Sequence, residues 1–160
     1  MVESCLALLN SRGVTFEDLV ECVVFLQKPY FKELDMEEVK RCVQSVLEKR
    51  EVQHALLTGI TIDMKAEEND FGNPELVEII QRDYGLYGID EVLAYGICNL
   101  YGSIALTNYG YIDKVKPGII GKLNDHNGVQ CNTFLDDIVG AIAAAAASKL
   151  AHSQEETING

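Results

Sequence analysis

The stretch that most constrains the fold is residues 131–152, which read CNTFLDDIVGAIAAAAASKLAH. Alanine loses no side-chain entropy on entering a helix, so a helix of about five turns is expected from Asn132 or Thr133 through Lys149. Gly140, Ala141 and the run from Ala143 to Ala147 put small side chains on every side of it. A helix that is apolar all round is buried all round, and small side chains let neighbouring backbones come close. The stretch therefore reads as the central rod of a bundle, at about residues 132–150. A membrane span is disfavoured: Gly140 interrupts the apolar run, Asp136, Asp137 and Lys149 bound it, and a span needs about 20 apolar residues. Two carboxylates at the mouth of a buried rod are costly unless positive charge meets them.

Helical signals fill most of the remaining chain. Gly13 closes a first helix over 2–11, at a position that tolerates positive φ. Thr15 with Asp18, and Asp35 with Glu38, are capping-box patterns that open helices over 16–27 and 36–49, the first stopped by Pro29. A further apolar stripe, Val52, Ala55, Leu56 and Ile60, runs from Glu51 to about Ala66 and ends in the acidic cluster Glu67, Glu68 and Asp70. Asn73 as cap and Pro74 at the first helical position begin the next helix, which ends near Tyr84. Residues 89–108 read as one long helix with Asp90 and Glu91 in its first turn; Gly96 and Gly102 within it suit close contact with the Ala-rich rod. Residues 108–128 read as a turn-rich connection with one short helix at Ile119–Leu123. No stretch alternates as a strand does. The expected fold is all-α: a single domain over residues 1–160, a bundle of about six to eight helices, with the N-terminal helices in 1–70.

Composition excludes some functions. A net charge of −12 argues against nucleic acid, whose phosphates are bound by clustered Lys and Arg. Five dispersed cysteines without a C-x-x-C pair read as buried thiols in a reducing cytoplasm. The opening MVESCLALLNSRG has no basic n-region, so no signal peptide is expected. His54, His126 and His152 are too scattered for a zinc set.

Asp136 and Asp137 are consecutive on a helix, so their side chains diverge by about 100°. One can face a cavity while the other holds a neighbour or a second ligand; a simple first-turn role on the helix dipole is the alternative. Asp113, Lys116 and Asp125 precede them closely. Carboxylates for a metal and a lysine for phosphate are the set a metal-assisted phosphoryl hydrolase needs. The upstream acidic cluster reads as a solvated face or as a further source of metal ligands, and Glu67 is the member to join the metal if one of its acids enters the site. His126, beside Asp125, is a candidate proton donor. Lys114, Lys116 and Lys122, interleaved with Val115, Ile119 and Ile120, form a basic-apolar patch suited to peripheral contact with a membrane surface.

These residues carry a resemblance. D-x-x-K-P at Asp113, Lys116 and Pro117, an Asp at Asp125, and D-D-I-V followed by small residues at Asp136–Ala141 resemble the phosphatidylglycerophosphatase A family. Asp90-Glu91 is similar to the family's upstream Asp-Glu pair, and the likeness covers about residues 73–152. The resemblance implies a Mg²⁺-dependent phosphatase that removes the terminal phosphate of phosphatidylglycerophosphate, a phospholipid substrate. It implies that Asp90, Glu91, Asp136 and Asp137 bind metal or position water, that Lys116 meets the phosphate, and that Asp113 and Asp125 orient lysine or metal. Two other readings stand beside it: an all-α metal-dependent nucleotide pyrophosphohydrolase, and a non-enzymatic helical interaction protein whose acids are only caps. Glycine- and alanine-rich helices with several tyrosines also suit a homo-oligomer.

Overall fold

The computed structural model describes residues 1–125 and 129–159, with side chains described through residue 156. Among these residues there are nine helices and no strand: α1 (Val2–Ser11), α2 (Phe16–Gln27), α3 (Met36–Glu48), α4 (Arg50–Glu67), α5 (Pro74–Gln81), α6 (Ile89–Cys98), α7 (Ser103–Val115), α8 (Ile119–Leu123) and α9 (Leu135–Asn159). The all-α expectation holds. Local chemistry sets several boundaries as the sequence implies. Thr15 and Asp18 form a reciprocal capping box, each side chain accepting the other's backbone N–H. Asp35 accepts the N–H groups of Glu37 and Glu38, and Asn73 accepts that of Leu76 just after Pro74.

The Ala-rich rod is the axis of the bundle. α9 packs against α2, α3, α4, α6, α7 and α8, and Ala141 and Ala143–Ala147 are fully buried. Its bounds differ from expectation at both ends. Residues 133–134 form a turn ahead of the helix rather than its first helical turn, and Thr133 directs its hydroxyl to the carbonyl of Ile80 instead of capping the helix. At the other end the helix continues past Lys149 to Asn159, since no proline or glycine intervenes.

The expected single helix over 89–108 is two. Gly102 adopts φ +94, a conformation only glycine reaches without strain, and the chain turns there so that α6 and α7 pack separately on α9. Consequently α7 extends through Val115, making helical part of what reads as a loop. The close approach expected at Gly96 and Gly102 is elsewhere: a Cβ on either would meet nothing. Tight positions are Gly59 of α4, where a Cβ would overlap the side chain of Ile138, and Gly121 of α8, where it would meet the Lys116 carbonyl.

All five cysteines are free and buried. Among the described residues no helix is long and apolar enough to cross a membrane.

Candidate functional site

The N-terminal end of α9 is held by a carboxylate from another helix. Asp63 on α4, fully buried, accepts the N–H groups of Phe134 (2.9 and 3.2 Å to its two oxygens) and Leu135 (2.9 Å). These are N–H groups that a helix start leaves without partners, so Asp63 does across the bundle what an N-cap residue does locally. Burial pushes its carboxyl up to about 7, against the pull of the Phe134 and Leu135 N–H bonds and of Arg12.

That anchor places Asp136 and Asp137 in the first turn of α9, each only 4% exposed. They open into a cavity of about 180 Å³ that α6, α7 and the connection after α5 complete. Among the described residues six carboxylates line it, from Asp83, Asp90, Glu91, Asp113, Asp136 and Asp137, against one cation, Lys116. The Lys116 ammonium lies 3.1 Å from Asp113 and 3.5 Å from Asp136. Burial works to lower the Lys116 pKa, but Asp136 and Asp113 outweigh it and hold the ammonium charged above its ordinary value. Tyr109 donates its hydroxyl to Asp137 at 3.0 Å and is itself packed edge-on by Tyr95. The Asp137 carboxyl also lies within hydrogen-bonding reach of those of Asp90 and Asp113.

The excess of negative charge shows in the protonation of the acids. Burial first, then the charge of Asp136, then contact with Asp90 push Asp137 far above the carboxylate range. Burial likewise carries Asp136 up to about 7, with Lys116 opposing and Asp83 adding to the rise. Glu91 is raised by burial and by Asp90. Carboxyl groups so arranged must share protons or recruit a cation.

Lys116 reaches this position through its backbone. It ends α7 in the left-handed region (φ +52, ψ +57). Pro117 after it disfavours a helical conformation for the preceding residue, so the helix stops there and the side chain folds back over Asp113. A non-glycine residue in this region costs about 1 kcal/mol.

Of the sequence-derived candidates, the fold brings Asp90, Glu91, Asp113, Lys116, Asp136 and Asp137 together around one cavity. It leaves out two. Glu67 is bound to Arg12 (2.9 and 3.2 Å) and to the Cys131 N–H (2.8 Å), and it lines a separate cavity. The acid of α4 that faces α9 is Asp63, about one turn earlier. Glu67 instead clamps the segment leading into α9, with Arg12 also donating to the Cys131 carbonyl at 2.7 Å. Asp125 is exposed and lines a neighbouring cavity with Lys122 and Arg12. His126 lies outside the described residues. The basic-apolar patch is reduced, since Ile120 is fully buried; Lys114, Val115 and Lys122 remain exposed.

Three contributors were not assigned a role from sequence. Asp83 sits in a left-handed turn (φ +48) after α5, a conformation aspartate tolerates, and only the turn brings it to the cavity. Tyr109 reads as a core tyrosine until its hydroxyl partner is known, and Asp63 reads as part of an acidic surface run.

The donor set bears on which cation it suits. Among the described residues no three Asp, Glu, His or Cys side chains already converge as a metal cage. The described lining holds carboxylates and no His or Cys, an oxygen donor set of the kind Mg²⁺ uses when it binds through one or two carboxylates and completes its shell with water and substrate phosphate. The all-oxygen chemistry and uncompensated charge of this cavity suit such a hard cation.

Fold and site together define an all-α protein with a carboxylate-lysine cleft at the N-terminal end of a buried central helix. Residues 6–152 match the family described as phosphatidylglycerophosphatase A. The chain belongs to that family, which points to phosphatase-like activity. It is 54% identical to the uncharacterized protein YutG of Bacillus subtilis, over 94% of this chain and 90% of that one, and 46% identical to the uncharacterized YpjQ of the same organism, over 98% and 87%. A crystal structure of the low temperature requirement C protein from Listeria monocytogenes superposes with a TM-score of 0.92 at 55% identity, covering 96% of each chain.

Proposed function

We propose that the protein is a Mg²⁺-dependent phosphatase that hydrolyses the terminal phosphate monoester of phosphatidylglycerophosphate, giving phosphatidylglycerol and inorganic phosphate. The observation that carries this reading is Lys116, the one ammonium among the described lining residues, held by Asp113 and Asp136 in a cleft that six carboxylates also line. Such a lysine can follow a phosphoryl oxygen without leaving the site. Asp90, Asp136 and Asp137 would hold the cation, which supplies positive charge so that a phosphate dianion can enter an acidic cleft. Lys116 donates to a non-bridging phosphoryl oxygen and stabilises the charge gathered there as the phosphorus–oxygen bond to the alcohol breaks and the bond to water forms. Tyr109 fixes the Asp137 carboxyl through its hydroxyl. One proton of the water passes to a cleft carboxylate and from it to the leaving alkoxide, and the other stays on the released phosphate.

The test is phosphate release from phosphatidylglycerophosphate, compared with nucleoside triphosphates, with and without Mg²⁺. Preference for the lipid phosphate and dependence on Mg²⁺ are expected; well-folded protein inert on the lipid phosphate would falsify the reading. Lys116→Ala should lower kcat by about a hundredfold or more, the usual loss on removing a preorganised donor to developing charge. Lys116→Arg should recover part of it.

An acidic protein is repelled by an anionic bilayer, so lipid access needs a local exception, and the exposed Lys114, Val115 and Lys122 provide one. Charge reversal at Lys114 and Lys122 should weaken sedimentation with phosphatidylglycerol vesicles while sparing hydrolysis of a short-chain, water-soluble analogue. Equal loss on both substrates would count against this patch.

A further inference from the structure

Residues 92–112 hold no charged side chain, in a chain that is 24% charged. They make up most of α6 and α7, whose inner sides pack on α9. The outer sides carry Ile89, Val92 and Tyr95 along α6 and Leu106 and Tyr111 along α7, all between 39% and 61% exposed. The two rows adjoin, because the Tyr95 ring stands edge-on to that of Tyr109 on α7, with 5.4 Å between centroids. Single apolar side chains on a surface are ordinary; a contiguous uncharged face marks an interaction site.

Two glycines lie among these side chains. Gly96 and Gly110 are exposed, sit inside helices without a positive φ, and a Cβ on either would meet nothing. Glycine weakens a helix interior relative to alanine, so the packing of this chain alone gives no reason for either residue. Each leaves a hollow beside a projecting ring, Tyr95 next to Gly96 and Tyr111 next to Gly110. Knobs and hollows on one face are what a surface needs to pack against its own copy.

We infer that the outer face of α6 and α7 is the interface of a two-fold symmetric homodimer, with the rings and Leu106 of one copy set over the glycine hollows of the other. Charge selects a second copy as the occupant. Each copy carries −12, and α1 to α5 expose Glu3, Glu17, Glu37, Glu51 and Glu75, so approach through those helices sets acid against acid. The face on α6 and α7 has no charge to repel or to desolvate, and its tyrosines and aliphatic side chains match the composition of interface cores. An anionic bilayer is drawn by Lys and Arg, which residues 92–112 lack. The size also fits. At about 1.5 Å per residue and about 8–10 Å apart, helices of 10 and 13 residues span roughly 20 by 20 Å. With side chains this exposed, the face reaches the roughly 500 Å² per copy that a specific interface requires. None of these residues lines the acidic cleft, and the inference stands independently of the phosphatase reading.

Sedimentation equilibrium of the full chain tests it, with a mass of twice 17.7 kDa expected. Val92→Glu and Leu106→Glu should each weaken association by about a hundredfold or more while helical circular dichroism is retained. Met36→Glu, at an exposed apolar residue of α3, should leave the dimer intact. Gly110→Ala should weaken the dimer, yet raise the melting temperature when combined with Leu106→Glu, because in the monomer only alanine's better helix propensity acts. In wild-type protein, amide hydrogen exchange over residues 92–111 should slow as concentration rises while that of α3 does not, a readout that depends on no variant folding. A single-chain mass at every concentration, a dimer undisturbed by either glutamate or tightened by Gly110→Ala, or exchange over 92–111 that ignores concentration would overturn the assignment. So would a monomer that sediments with phosphatidylglycerol vesicles unless Leu106 is replaced, which would give the face to a bilayer.

Discussion

Asp137→Asn is expected to raise the melting temperature and to abolish phosphate release. Asp137 is 4% exposed, carries the influence of Asp136, and lies against the carboxyls of Asp90 and Asp113. Without a cation, folding must place a proton there that the unfolded chain does not hold at neutral pH. Asparagine keeps the oxygen that accepts from Tyr109, offers N–H groups to Asp90 and Asp113, and needs no proton. The gain should be roughly 2 kcal/mol, or about 5 °C for a chain of this size. Activity should fall by more than a hundredfold, because asparagine is a poor ligand for a hard cation. An active Asp137→Asn enzyme would remove this residue from the catalytic machinery.

The same cluster sets a pH dependence whose sign can be worked out. Asp136 is raised from the ordinary 3.8 to about 7. An acid whose folded pKa is raised binds more protons folded than unfolded between those two values. Its contribution is therefore least unfavourable below about pH 4, becomes steadily worse as pH rises, and is fully unfavourable above about pH 7. Mg²⁺ should reverse the trend, since it binds the ionised form, so its stabilisation should be larger at pH 8 than at pH 5. Melting curves at the two pH values with and without Mg²⁺ decide the point. Equal stabilisation at both would mean the cation is not read by these carboxylates.

Asp63→Ala should act in the opposite direction on stability. It removes the acceptor of the Phe134 and Leu135 N–H groups and leaves both buried, at a cost of about 3 kcal/mol, or about 10 °C. The first turn of α9 carries Asp136 and Asp137, so its loosening should also lower kcat by at least about tenfold. Asp63→Asn, which retains one acceptor oxygen, should fall between the two. The pair of variants separates roles that activity alone confuses: both lose turnover, but one melts higher and the other lower. If Asp63→Ala melts like wild type, the cross-bundle cap is not what holds the helix start.

Much of the site was legible because its chemistry is local. Asp113 and Lys116 are three apart at the end of one helix, Asp136 and Asp137 are adjacent on another, and Asp90-Glu91 opens a third. Helix propensity and charge pattern place Asp90, Glu91, Asp136 and Asp137 in the first turns of their helices, whereas the helix that carries Asp113 and ends at Lys116 reads as a loop from sequence. Glu67 was assigned to the metal because charge spacing on α4 does not reveal which acid faces inward. The direction is set by how α4 lies on α9, with Gly59 allowing Ile138 to come close and turning Asp63 toward the helix start. Asp125 was assigned by its distance along the chain from Lys116, and α8 intervenes to carry it to the next cavity.

The sequence by itself determined an all-α chain, the buried Ala-rich rod and the pair of aspartates at its start. Alanine's propensity and the absence of any polar face act within a few residues and need no partner to be read. Only the tertiary structure decided that the rod begins at Leu135, that Asp63 caps it, and that Asp83 and Tyr109 join the cleft. Those outcomes depend on buried polar groups finding partners on helices remote in the chain, and such pairings have no local signature.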